Sequence, residues 1–181
     1  MIIKSIAPIL ILIAVSIMLF LLLIYNKLFK LVEAIKEDRR QMNVLLDWRF
    51  QLVTIFDEIA NSDDEGVKTW VKQIETIYGN AHDARKQKKF QEYMRAENSI
   101  SQLVKKLDFL FEQIQPLSEN EEAVELKNGI LNLQHDLEIA QKVYNEDLAS
   151  YHVAKSNFFD SVILSVFAKN LKINFAYWKL K

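Results

Sequence analysis

An uncharged stretch of 22 residues near the amino terminus most constrains how this 181-residue chain can fold. It lies between Lys4 and Lys27, and residues 5–24 alone form roughly 30 Å of α-helix, enough to cross the hydrocarbon core of a bilayer. We therefore predict a transmembrane helix within residues 1–24. A buried helix of a soluble protein is the alternative, which the length of the apolar stretch disfavours.

The residues around this stretch indicate a retained anchor rather than a cleaved secretory signal. The apolar core is longer than that of a signal peptide, and it runs into Tyr25, Asn26 and Lys27 instead of the small residues of a cleavage site. Tyr25 and the lysines after it form an aromatic and cationic interface anchor. Lys and Arg are more frequent after the stretch than before it, which favours a cytoplasmic carboxy-terminal domain.

Apolar residues then recur at helical spacing, which predicts that the first helix continues without a break to about Ala60. A turn follows, where Ser62 and Glu65 have the spacing of a capping box that starts the second helical region. Within that region, Gly79-Asn80 is either a break or a tolerated defect.

The third helical region has the most regular pattern. It follows Pro116, and Ser118 with Glu121 forms a second capping box. Its heptad positions are Ile130, Leu137, Tyr144, Tyr151 and Phe158. Only three Gly and two Pro occur in the chain, which also favours long helices.

These patterns together predict an all-α fold. In it, the transmembrane helix continues into an antiparallel up-down bundle of three long helices, or four if Gly79-Asn80 divides the second. We assign the bundle to residues 25–160. Residues 161–181 form an apolar and basic tail, for which a lipid interface and a position packed on the bundle are both open.

Composition and motifs favour no enzyme, cofactor site or nucleic-acid binder. The 23 Lys and Arg balance 24 Asp and Glu, so no net field attracts nucleic acid. The chain has no cysteine, no Glu-x-x-His pair for a di-iron site, and no phosphate-binding or catalytic motif. We expect no catalytic residue, cofactor or metal. The expected partners are membrane lipid and other membrane or envelope proteins, and a homo-oligomer is left open.

Two blocks of the sequence resemble the LemA family of bacterial membrane proteins. The first opens with Tyr25-Asn26-x-Leu28 directly after the transmembrane helix and includes Arg49, and the second contains Tyr144-Asn145 and Tyr151. Between and around them the chain departs from the family pattern, as at Asp38-Arg39, so it looks like a divergent member.

The resemblance implies an anchored helical bundle in the cell (inner) membrane, and it supplies no reaction. The positions that carry over are therefore structural, and we expect the Tyr and Asn side chains to hydrogen-bond between helices or at the membrane face. They are Tyr25, Asn26, Leu28, Arg49, Tyr144, Asn145 and Tyr151.

Two functions fit this sequence. The first is a non-enzymatic, membrane-anchored scaffold or interaction protein of the bacterial envelope. The alternative is a transmembrane sensor or signal-transmitting module, in which a continuous helix carries motion from the membrane into the bundle.

Overall fold

The protein is helical wherever its structure is described. The structure is a computed structural model that describes residues 2–60, 65–166, 171, 173 and 176–178. Its helices, in chain order, are α1 (Ile2–Ala60), α2 (Glu65–Lys86), α3 (Phe90–Val104), α4 (Leu107–Gln113), α5 (Gln115–Glu119), α6 (Glu121–Ser156) and α7 (Phe158–Val166). No strand occurs among these residues, so the all-α prediction is confirmed.

The chain forms two compact units, each assembled from segments that are distant in the sequence. Unit 1 consists of Met1–Glu37 and Glu146–Asn174. Unit 2 consists of Asp38–Asn145 and Phe175–Lys181. The two longest helices, α1 and α6, contribute residues to both units.

In unit 1, the amino-terminal part of α1 is long and apolar enough to cross a membrane, as judged by length and composition. Its large side chains face outward, and Ile9, Leu12 and Leu23 are 59%, 69% and 68% exposed. The hydroxyl of Ser16 donates a hydrogen bond to the Leu12 carbonyl at 2.8 Å. Its polar atom therefore has a partner within the helix, as a hydrocarbon environment requires.

The same helix buries one face after this apolar span. Leu28, Val32 and Ile35 are fully buried, at positions spaced four and three residues apart. On α6, Leu148 and Tyr151 of the same unit are buried as completely. Unit 1 therefore has an apolar interior beyond its outward-facing span, and the predicted heptad residue Tyr151 belongs to it.

In unit 2, α1 and α6 run antiparallel. Arg49 contacts Gln134, whereas Leu52 lies beside Gly129, so the residue numbers rise along one helix as they fall along the other. The helices α2 and α3 also form an antiparallel pair, joined by a short turn in which Lys88 has a left-handed backbone with φ of 58°.

These helices enclose the apolar core of unit 2. Phe56 lies within it, its ring centroid 5.8 Å from that of Trp70 and 5.7 Å from that of Phe111. The Trp70 indole N–H donates to the Leu103 carbonyl at 2.9 Å, which satisfies its one polar atom. The buried members of the core are Val53, Phe56, Val67, Trp70, Val71, Ile74, Ile100, Val104, Leu107, Phe111, Leu117, Ala123 and Ile130.

The helix boundaries agree with the sequence in part. As predicted, α1 continues to Ala60. The pair Gly79-Asn80 is a tolerated defect, because α2 passes through it and ends at Lys86. Ser62 of the first predicted capping box lies outside the described residues.

The second predicted capping box is wrong. Ser118 lies inside the short helix α5, and the residue before α6 is Asn120. The Asn120 side-chain oxygen accepts a hydrogen bond from the Ala123 N–H at 3.1 Å. Asparagine caps a helix as well as serine does, so the chain had two suitable residues and uses the later one.

Alanine substitutions at two glycines, Gly79 in α2 and Gly129 in α6, test whether these helices are continuous. A methyl group at Gly79 would meet no atom within 4 Å, whereas one at Gly129 would lie 3.2 Å from Leu52 Cδ1. We expect Gly79→Ala to stabilise the protein by about 0.5–1 kcal/mol, the usual gain over glycine within a helix. Gly129→Ala should gain less, because Leu52 must move. Thermal unfolding of the full chain in detergent measures both, and a loss of stability in Gly79→Ala would contradict a continuous α2.

Candidate functional site

A charged pair is buried at the centre of unit 2. Arg49 of α1 and Glu97 of α3 are 1% and 2% exposed, and Arg49 Nη2 lies 2.8 Å from Glu97 Oε2. Arg49 is placed there by helical spacing, because it occupies the same face of α1 as the buried residues Leu46 and Val53. Glu97 likewise shares a face of α3 with Tyr93 and Ile100.

Two further side chains complete this polar centre, which we define as Arg49, Glu97, Ser101 and Gln134. Arg49 Nη1 donates to Gln134 Oε1 at 2.7 Å and to Ser101 Oγ at 2.9 Å. The polar centre therefore joins α1, α3 and α6. Gln134 in turn donates to Glu138 at 3.1 Å, which is a partly exposed carboxylate.

Burial changes the acidity of these groups. The loss of water raises the pKa of Glu97 to about 7, and the nearby Arg49 guanidinium offsets this only in part. Burial also lowers the pKa of Arg49. The pKa of Tyr93 is raised by burial and then by the Glu97 charge, and its hydroxyl donates to Asn43 Oδ1 at 2.9 Å.

This geometry favours holding helices together over binding a substrate. The charged and polar atoms of the polar centre face one another, and Arg49, Glu97 and Gln134 are each less than 5% exposed. Within the described part of the chain, no group of three His, Asp or Glu residues could hold a metal ion.

A second constellation, the tail clamp, holds the carboxy-terminal segment in unit 2. The Trp178 backbone N–H donates to Asn145 Oδ1 at 2.7 Å, and Asn145 Nδ2 donates to the Trp178 carbonyl at 2.6 Å. The Trp178 indole N–H also donates to Asn98 Oδ1 at 3.1 Å. Its ring is 1% exposed and meets Phe90 and Tyr93 edge-on, with centroids 6.0 and 5.7 Å away.

Two tyrosines bind the backbone of the same segment. In unit 2, the Tyr144 hydroxyl donates to the Ala176 carbonyl at 3.0 Å, and burial raises the pKa of Tyr144 to about 12. In unit 1, the Tyr151 hydroxyl donates to the Leu171 carbonyl at 3.3 Å and accepts from the Ile173 N–H at 3.4 Å. Leu171, Ile173, Ala176 and Trp178 of the tail thus pack on helices of the protein.

The remaining motif positions lie on α1 in unit 1. Tyr25 is half-buried and stacks on Phe29, with ring centroids 6.4 Å apart. Asn26 is exposed, and Leu28 is fully buried. The structure therefore does not gather the seven motif residues into one site. Arg49 belongs to the polar centre, Tyr144 and Asn145 hold the tail in unit 2, and the other four belong to unit 1.

Sequence reasoning did not identify Glu97, Gln134 or Trp178. A signal for the first was present, because Glu97 falls on an apolar helical stripe between Tyr93 and Ile100. Arg49 also falls on an apolar stripe, in α1. Because charged residues are rarely buried unless they are paired, a carboxylate and a guanidinium on two such stripes indicate a buried ion pair. Trp178 has no comparable periodic pattern around it.

Comparison with known proteins identifies a family. The model of the LemA family matches residues 30–179, which is most of the chain. This match confirms the resemblance seen in the two sequence blocks. No curated protein and no solved structure gives a significant match.

The polar centre predicts an unusual pH dependence of stability. Glu97 holds its proton more tightly in the folded protein than in the unfolded chain, because its pKa rises from 4.5 to about 7. The contribution of the protonated Glu97 carboxyl to the free energy of unfolding is thus complete below pH 4.5 and is lost as the pH rises through about 7, a change on the order of 3 kcal/mol.

Thermal unfolding of the full chain in detergent between pH 5 and 8 measures this effect. We expect the stability of the natural protein to fall across this interval relative to Glu97→Gln, which has no carboxyl to titrate. Parallel pH profiles for the two proteins would show that Glu97 titrates normally.

Proposed function

Because the chain belongs to the LemA family, we propose that it is a non-enzymatic scaffold or interaction protein of the bacterial envelope. In this proposal, its first helix is an uncleaved, single-pass anchor in the cell (inner) membrane, and its carboxy-terminal domain lies in the cytoplasm. The outward-facing apolar span of α1 supports the anchor. The excess of Lys and Arg after this span supports the orientation.

An exposed apolar stripe on α1 in unit 2 carries the proposal. Val44, Trp48 and Ile55 are 40%, 54% and 40% exposed. Their spacing of four and seven residues places them on one side of the helix, away from buried Arg49. Tryptophan is among the residues that contribute most binding energy at protein interfaces, and it is costly to leave in water.

The stripe has the geometry of a helix-packing seam. Trp48 and Ile55 are one heptad apart, and Val44 precedes Trp48 by four residues, as in a and d positions. An apolar helix of another membrane or envelope protein is the partner that this spacing fits. A second copy of the chain could also pack on this stripe, and the experiment below distinguishes that outcome from a different partner protein.

The alternative function, a transmembrane sensor or signal-transmitting module, is favoured by a different observation. The apolar span and Arg49 belong to one uninterrupted helix, α1. Motion of that helix would act on the Arg49–Glu97 contact. Infrared bands of the Glu97 carboxyl that change with the lipid composition of the membrane would support this alternative over a scaffold.

Site-specific photocrosslinking in living cells tests the scaffold proposal. A photoreactive phenylalanine analogue replaces Trp48 in one variant of the full chain and Phe109 in the control. Phe109 is a matched position, because it is an aromatic residue of unit 2 with 57% exposure. We expect a discrete protein adduct from position 48 and none from position 109.

Mass spectrometry of the adduct distinguishes another membrane protein from a second copy of this chain. In addition, Trp48→Ala should weaken recovery of the partner about 30-fold, a typical loss of about 2 kcal/mol at a hot spot. Equal adducts from both positions, or none from either, would contradict an interface on this stripe.

A further inference from the structure

Helix α7 lies beside the apolar span of α1 in unit 1. The two helices form a groove of about 170 Å³, lined by Met18, Leu21, Leu22 and Tyr25 from α1 and by Ile163 from α7. All of the lining side chains are apolar except for the hydroxyl of Tyr25. Helix α7 is therefore level with the last two turns of the uncharged stretch, which ends before Lys27.

The residues of α7 suit a hydrocarbon environment. Ile163 and Leu164 are buried within the protein, whereas Val162 is 38% exposed. The Ser165 hydroxyl donates to the Val162 carbonyl at 2.9 Å, so this polar group needs no water. The charged residue of the helix, Asp160, is in its first turn.

The length of α7 limits how deep it can reach. Nine residues of helix extend about 14 Å, which is less than half of a bilayer's hydrocarbon core. A helix of this length beside a transmembrane helix can enter one leaflet but cannot cross the membrane.

We propose that α7 is a second membrane-inserted element, which enters the leaflet on the Lys27 side of α1 and whose groove is filled by lipid acyl chains. This proposal rests on the proposed membrane anchor, because the groove continues the outward-facing apolar surface of that span. The protein would then hold the bilayer at two separate points of its sequence. Helix α7 adds apolar contact area with lipid that the anchor alone does not provide.

Spin labelling tests this depth directly, since the chain contains no cysteine. Single cysteines replace Val162 in α7 and Val153 in α6, and each carries a nitroxide in the full chain reconstituted into phosphatidylcholine and phosphatidylglycerol vesicles. Val153 is the matched control, because it is a valine of the same unit with 65% exposure. Leu19→Cys, within the apolar span, provides the membrane reference.

Collision rates with oxygen and with a water-soluble nickel chelate report where each label lies. We expect the oxygen-to-nickel ratio at position 162 to exceed that at position 153 severalfold and to approach that at position 19. Ser165→Cys is a second variant in α7, and circular dichroism checks that each labelled protein is folded.

The outcomes separate this inference from the function on which it rests. The oxygen-to-nickel ratio is high for a label in the membrane and low for a label in water. A high ratio at position 19 with low ratios at positions 162 and 165 would overturn the insertion of α7 and leave the anchor intact. Low oxygen-to-nickel ratios at all of these positions would overturn the anchor as well. Spin–spin broadening at position 162 together with low oxygen access would show that a second copy, rather than lipid, fills the groove.

Discussion

The buried contact between Arg49 and Glu97 is the interaction on which unit 2 depends. A charged group away from water is costly unless an opposite charge and hydrogen-bond acceptors lie close to it. Arg49 has the Glu97 carboxylate on α3 and the Gln134 side-chain oxygen on α6, although its Nε is buried without a hydrogen-bond partner. A shift of either helix by one turn would leave a charge unpaired in an apolar interior. The pair therefore selects one axial arrangement of the three helices, where apolar contacts alone would accept several.

The need to satisfy buried polar groups also explains three later positions of the family motif, Tyr144, Asn145 and Tyr151. The backbone N–H and C=O groups of buried residues need hydrogen-bond partners. Asn145 supplies a donor and an acceptor to Trp178, and Tyr144 supplies a donor to Ala176. In unit 1, the Tyr151 hydroxyl does the same for Leu171 and Ile173. These side chains thus provide hydrogen-bond partners to the backbone of Leu171, Ile173, Ala176 and Trp178.

Periodicity was enough to predict the long helices, because apolar spacing reports directly on a buried face. It predicted α1 up to Ala60 and the buried heptad positions Ile130, Leu137, Tyr144 and Tyr151 of α6. The side chain of Phe158, the last predicted heptad residue, lies outside the described part. Local details were less predictable. Asn120 and Ser118 are both good caps, but Ser118 lies within the short helix α5, which leaves Asn120 as the residue that caps α6.

The polar centre was harder to predict from the sequence than the helices were. Glutamate and glutamine within a helical pattern normally indicate a solvated face, and only the three-dimensional packing places Glu97 and Gln134 against Arg49. The tail clamp depends on contacts between residues about 33 and 80 positions apart in sequence, which no local pattern encodes. The exposure of Trp48 likewise follows from the packing of α1 and not from its composition.

A double-mutant cycle tests the central claim most directly. Arg49→Met, Glu97→Leu and their combination are compared with the natural chain by thermal unfolding in detergent at pH 8, where the Glu97 carboxyl is ionised. Each single variant should lose about 3–5 kcal/mol, because it leaves one buried charge without its partner, and the combined variant should recover most of that loss. Additive losses in the combined variant, or single variants as stable as the natural protein, would show that unit 2 does not depend on this pair.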